Sequence, residues 1–192
     1  MADTIRTLAA LQALLADNTA GSISEQDLRD VLLSTYPDNP HGTFASIVTQ
    51  TIASTTVAYE VALEVEIAKD GLTHSTSTNN SRIQIDTAGT YQIIVSAIAD
   101  TTGGGAAEID LWFRVDGADV ANSNTIARMA NTNTETVVAV ALTYTFTAAQ
   151  YFEIVMHGSA TTVQLLATAA GTTPTTPVCP SVIVSVTKVS ST

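Results

Sequence analysis

One cysteine, seven lysines and arginines, and no apolar run near membrane-spanning length make this a chain defined first by what it has little of. A lone Cys179, set between Pro177 and Pro180, excludes an internal disulfide and reads as a buried structural thiol. The fold must then rest on packing and hydrogen bonds. Seven cations against 18 acids leave a formal charge of −11 and a pI of about 4.3. Binding to nucleic acid or to an anionic membrane needs Lys and Arg to offset phosphate, so neither partner is expected. No stretch reaches the roughly 20 apolar residues that span a bilayer. The start, MADTIRTLAALQALL, carries Asp3 early and does not read as a secretory signal.

What is abundant is strand pattern. In AYEVALEVEIAKD (58–70), Tyr59, Val61, Leu63, Val65 and Ile67 alternate with Glu60, Ala62, Glu64, Glu66 and Ala68, as in a strand with one wet face. Similar runs occupy 91–99, 109–115, 136–146, 151–156, 162–169 and 181–189. Gly, Asn, Asp and Thr clusters separate them, and Asp116-Gly117 is a strong two-residue hairpin signal. Many short strands with such turns predict a mostly β chain, an antiparallel jelly-roll sandwich.

Ahead of this body, residues 1–35 read as a helical hairpin arm. Ile5, Leu8, Leu11, Leu14 and Leu15 form one stripe, and DNTAG (17–21) breaks it. A second helix follows. Ser24 caps its first turn, Glu25 and Asp27 suit its positive end, and Leu28, Val31 and Leu32 share a face. Pro37 and Pro40 stiffen a linker over 36–42, leaving 43–192 as the jelly roll. Two such short helices are marginal alone, so Leu8, Leu11, Leu15, Leu28, Val31 and Leu32 are expected to dock on a partner.

Catalytic chemistry is hard to find. His41, His74 and His157 lack metal-ligand neighbours at helical or hairpin spacing, and His41 in the linker and His74 in a turn read as ordinary solvent-side residues. Glu60, Glu64 and Glu66 read as an acidic solvated face rather than a hydrolytic pair. Asp100, Glu108, Asp110, Asp116 and Asp119 are oxygen donors of the kind calcium takes, yet turn chemistry explains them without metal. GGG (103–105) lacks the Lys-Ser/Thr of a phosphate loop. No nucleophile, base and orienter follow one another, so no catalytic residue, cofactor or metal is expected. Trp112 and Arg114, opposite the inward set Ile109, Leu111, Phe113 and Val115, mark a possible binding surface. There the Trp is an interface anchor, a sugar-stacking platform or a side chain covered by its own loop.

GTYQIIVSAI (89–98), IDLWFRVDGADV (109–120), TVVAVALTYTFTAAQYFEIVM (136–156) and PSVIVSVTKV (180–189), in that order, resemble the tumour-necrosis-factor and complement-head jelly roll. The Gly-Asp of that family's turn is replaced here by Ala149-Gln150. More closely, the chain resembles jelly-roll virion proteins of tailed bacteriophages. Pieces like LWFRVDGADVANS and PSVIVSVTKV recur there, with an N-terminal piece like RTLAALQALLADNTAGSISEQDLRDVLLS. The resemblance implies a homotrimer in which Gln92, Ile94, Ser96, Ile98, Ala139, Ala141, Thr143, Ile183 and Ser185 face neighbours. It also implies a capsid decoration protein in the virion, bound to the major capsid protein or another virion protein. The alternative is a receptor- or carbohydrate-binding head of a fibre or baseplate.

Overall fold

The computed structural model describes residues 10, 24–35, 39–132 and 134–190. The chain forms two units, Met1–Asn39 and Pro40–Thr192. In the first, α1 (Glu25–Thr35) begins as its sequence demands. The Ser24 hydroxyl accepts the Asp27 N–H at 3.1 Å, and the Asp27 carboxylate accepts the Ser24 N–H at 2.9 Å, a reciprocal box that satisfies end donors. The expected first helix, with Leu8, Leu11 and Leu15, lies outside the described residues.

The body runs through β1 (His41–Ser46), β2 (Gln50–Thr51), β3 (Tyr59–Glu60), β4 (Val65–Asp70), β5 (Leu72–His74) and β6 (Ile83–Ile85). Next come β7 (Gly89–Thr101), β8 (Ala107–Val115), β9 (Ala118–Asp119), β10 (Thr125–Met129) and β11 (Thr136–Phe146). Last are β12 (Tyr151–Gly158), β13 (Val163–Leu165), β14 (Gly171–Thr172), β15 (Thr175–Thr176) and β16 (Val182–Ser190). Sheet one places β7 between β11 and β16, then β1 and β4, with β13 and β2 beside the far end of β7. Sheet two runs β10-β8-β12-β6-β5, with β9 on β8 and β3 on β12. Every pairing between these strands is antiparallel, and the chain crosses repeatedly from one sheet to the other, which makes the sandwich a jelly roll.

The core lies between the sheets. Tyr91, Ile93, Val95 and Ala97 face Ile109, Leu111 and Phe113 across it, all essentially inaccessible to water. Each such aliphatic or Phe side chain contributes about 1.5–3 kcal/mol by burial. Phe146 links the layers, with ring centroids 5.9 Å from both Tyr91 and Phe152. Burial pushes the Tyr91 phenol up, and its hydroxyl donates to Thr87 O at 2.7 Å.

Several expectations change. Residues 58–70 are not one strand: β3 pairs with β12 in sheet two, whereas β4 pairs with β1 in sheet one. Val61 and Leu63 are buried in the crossover, but Ile67 is exposed at a register shift. Glu60, Glu64 and Glu66 therefore share no face. Glu64 accepts the Ser46 hydroxyl at 3.0 Å and the Ile47 N–H at 2.6 Å, and so ties the crossover to the end of β1. Glu66 pairs with Lys69 at 2.9 Å, which holds its carboxyl below the usual range. His74 is buried, not solvent-side: its ring lies 4.7 Å from Phe44 and Nε2 is 3.2 Å from Asn80 O. Cys179 is exposed rather than buried, in an isolated bridge to Thr168 outside the named strands. His41 and Gly42, expected in the linker, open β1 and pair with Thr187 and Val186.

The backbone at Ala149-Gln150 defines a tight turn. Ala149 sits at φ 69°, a left-handed conformation, with its N–H donating to Ile85 O at 2.8 Å. The Gln150 amide closes the turn, accepting the Thr147 N–H at 2.8 Å and donating to Asp116 at 2.9 Å. An alanine there costs about 1–2 kcal/mol, while glycine adds back part of that as unfolded-chain entropy. Ala149→Gly should therefore stabilise the chain by about 0.5–1 kcal/mol and raise Tm by about 1–4 °C. Differential scanning calorimetry checks it, and an unchanged or lowered Tm would mean the turn carries no strain.

Candidate functional site

The outer face of sheet one gathers the positions that the sequence singled out. Register places Ile94 between Ala141 and Ser185, Ser96 between Ala139 and Ile183, and Gln92 between Thr143 and Thr187. Ile98 lies beside Val137. Gln92, Ile94, Ser96, Ala139, Ala141, Thr143 and Ile183 are exposed, and Ile98 and Ser185 half-buried. The alternation that buries Tyr91, Ile93 and Val95 forces their neighbours outward. Val137, 68% exposed, belongs to the same patch and escaped the sequence reading, although TVVAVAL puts it two residues before Ala139. Ile94 is 47% exposed. None of these positions carries a charge, in a chain with 18 acids.

The edge of this face is equally unusual. Among the described residues β11 pairs only with β7, and none of them forms a strand on its other backbone edge. Over 11 residues it has no Lys, Glu, Asp or Pro. Natural edges are ordinarily blunted by charge, proline or a bulge. At the opposite edge β4 has such protection, with Glu66, Lys69 and a register shift against β1.

On the outer face of sheet two, Trp112 and Arg114 are half-buried and converge on one acid. Trp112 Nε1 donates to Asp119 Oδ1 at 2.8 Å, and Arg114 Nε donates to the same oxygen at 2.9 Å. The indole and then the guanidinium hold the Asp119 carboxyl below its usual range. Arg114 also reaches Glu60 at 3.3 Å. The Asp116-Gly117 turn presents Asp119 for this, with both central residues at positive φ as the two-residue hairpin requires. The polar ends of Trp112 and Arg114 are thus engaged within the chain.

The acids of the 100–120 region go separate ways. Asp100 pairs with Gln164 at 2.8 Å, Glu108 with Arg128, Asp110 with Asn124 and His157, and Asp116 with Gln150. Among the described residues no three His, Cys, Asp or Glu side chains come together as a metal would require. No helix among them is long and apolar enough to cross a membrane.

His157 stands between two acceptors, Nδ1 3.1 Å from Asp110 Oδ2 and Nε2 2.9 Å from Thr55 O. Only the doubly protonated ring donates to both, so the Thr55 carbonyl and then Asp110 raise its pKa. Its stabilising contribution is complete below the unfolded value of about 6.5 and fades as pH rises through the higher folded value. The NMR titration midpoint of His157 should lie above 6.5, with amide exchange near Thr55 speeding up across it. Asp110→Asn should lower that midpoint; a midpoint at or below the free-histidine value would mean that Asp110 and Thr55 do not stabilise the protonated ring.

No protein-family model and no curated protein sequence matches the chain. Among solved structures, it is similar to the globular domain of zebrafish complement 1qA protein, at 10% identity and a TM-score of 0.49, over 81% of this chain and 100% of that one. It is also similar to murine APRIL at pH 8.5, at 8% identity and TM-score 0.49, and at pH 5.0, at 6% and 0.47. Each covers 79% of this chain and 100% of the other. These are likenesses of chain path alone.

Proposed function

We propose that this chain is a structural virion protein of a tailed bacteriophage, a homotrimeric capsid decoration or cement protein without enzymatic activity. The observation that carries the assembly is the uncharged outer face of sheet one, continuous with the uncharged edge of β11. A second and third copy cover both at once, and the closed arrangement removes an edge that would otherwise template aggregation. The virion setting is supported by the sequence resemblance. The arm, residues 1–35, anchors the trimer to the major capsid protein or another virion protein, while the acidic body faces solvent and keeps decorated particles mutually repulsive.

The test has two arms. Sedimentation of the purified chain should give the mass of three copies, and electron microscopy of particles made with and without it should place density on the capsid surface. A monomer at micromolar concentration overturns the trimer; density only at the tail moves the protein to the alternative, a receptor- or carbohydrate-binding head. Trp112 and Arg114, read from the sequence as a possible binding surface, have their polar ends committed to Asp119, which does not favour that alternative.

A further inference from the structure

A pocket of about 280 Å³ opens on sheet two, between β5, β6, the start of β12 and the loop that joins β5 to β6. We infer that it is a binding site for one uncharged saccharide unit. This goes beyond the assembly reading and depends on neither the arm nor the trimer.

The volume lies near the lower end of ligand-sized pockets, about 300–1,000 Å³. Its walls combine polar groups with apolar surface in similar measure. Hydroxyls come from Thr73, Ser75 and Thr78, amides from Asn79 and Gln84, and a guanidinium from Arg82 above the Tyr151 ring. An apolar ligand would strand these groups, whereas a polyol, whose every hydroxyl both donates and accepts, meets them in kind.

The donors are held in place before any ligand arrives. Glu153, only 3% exposed, accepts Arg82 Nε at 3.1 Å and the Ser81 hydroxyl at 2.9 Å. The guanidinium carbon lies 4.4 Å from the Tyr151 ring centroid. With Nε and one face so engaged, the terminal N–H groups are the ones left to a ligand, and no hydrogen bond to a described residue occupies them. The Thr73 hydroxyl donates to Asp86 at 3.1 Å and the Gln84 amide to the same carboxylate at 3.4 Å, which leaves both side-chain oxygens as acceptors. Ser75 Oγ accepts the Thr78 N–H at 3.2 Å and keeps its own proton for donation. The Arg82 N–H closes the loop onto Asn79 O at 2.9 Å.

Charge selects the class. Glu153 offsets Arg82, and Asp86 stands behind Thr73 and Gln84, so the pocket adds no net positive charge to a chain of −11. An acidic sugar or a phosphate is therefore disfavoured. A neutral ring is held by hydroxyl matching alone, which gives single-site affinity on the order of millimolar.

Saturation-transfer difference NMR of the full chain tests this, with millimolar glucose, galactose and N-acetylglucosamine, N-acetylneuraminic acid as the anionic probe, and cyclohexanol as a ring without the hydroxyl array. At least one neutral sugar should give a saturable signal, with none from cyclohexanol. That signal should fall at least tenfold in Thr78→Tyr, which fills the opening, and in the Arg82→Gln/Glu153→Gln pair, which removes the ion pair together. Circular dichroism showing wild-type melting in Thr78→Tyr secures that loss against misfolding. No saturable signal from any neutral sugar, binding of the acidic sugar alone, or signal that survives both variants would each overturn the site.

Discussion

Ile94→Asp should yield a folded chain that no longer forms the proposed trimer. Ile94 is 47% exposed at the centre of the uncharged face, between Ala141 and Ser185. In the isolated chain an aspartate there meets water, and surface changes of this kind usually stay within about 0.5 kcal/mol. At a threefold interface the same carboxylate is buried without a partner, three times over. Stranding one such charge costs several kcal/mol, and each 1.4 kcal/mol weakens association about tenfold. Sedimentation at micromolar concentration should thus pass from three chains to one, with cooperative melting retained. Ile183→Asp should behave alike. Ile126→Asp, at a position still more exposed but on the outer face of sheet two, should leave the mass unchanged. A variant at Ile94 that still sediments as three chains would place the contact elsewhere.

That face was legible in the sequence because two signals coincide there. Residues 91–99 and 136–146 alternate cleanly, and the positions turned away from the core are apolar or small, a combination that a solvated face does not favour. β8 was equally plain, since Ile109, Leu111, Phe113 and Val115 all face inward. Alternation misled at 58–70. Val61 and Leu63 are buried there, as a strand would have them, but by a crossover between sheets that Glu64 fastens to Ser46 and Ile47. Periodicity reports which side chains are buried, not which strand is hydrogen-bonded beside them. β5, β6 and β10 were missed because three to five residues carry too few alternations to stand out. His74 looked like a turn residue, and the tertiary contacts that bury it, with Phe44 and the Asn80 carbonyl, are not written in the local sequence. The pocket on sheet two was invisible for a related reason. Its Thr, Ser and Asn residues are those that any loop uses, and Tyr151 arrives from a strand far along the chain.

On the proposed function, removal of residues 1–39 should leave a folded trimer that no longer joins the particle. The cut falls at the boundary between the two units, ahead of Pro40, whose carbonyl accepts the Lys188 N–H at 2.8 Å. Cutting instead at 42 would take His41 and Gly42 from β1, and with them pairings to β16 and β4, so loss of binding would be confounded with damage to the sheet. On α1, Leu28 and Leu32 are 56% and 54% exposed, one turn apart on one face, with Val31 half-buried beside them. Apolar area of that kind is worth roughly 25 cal/mol per Å² when a partner covers it. One short helix binds weakly, but three on a single trimer act together, and avidity multiplies a modest contact by orders of magnitude. Leu28→Ser with Leu32→Ser in the intact chain should therefore reproduce most of the loss while the trimer mass is kept. Co-sedimentation of purified trimer with undecorated particles measures both variants. Truncated protein that decorates as well as the full chain would move the docking surface to the jelly roll and leave the arm without an anchoring role.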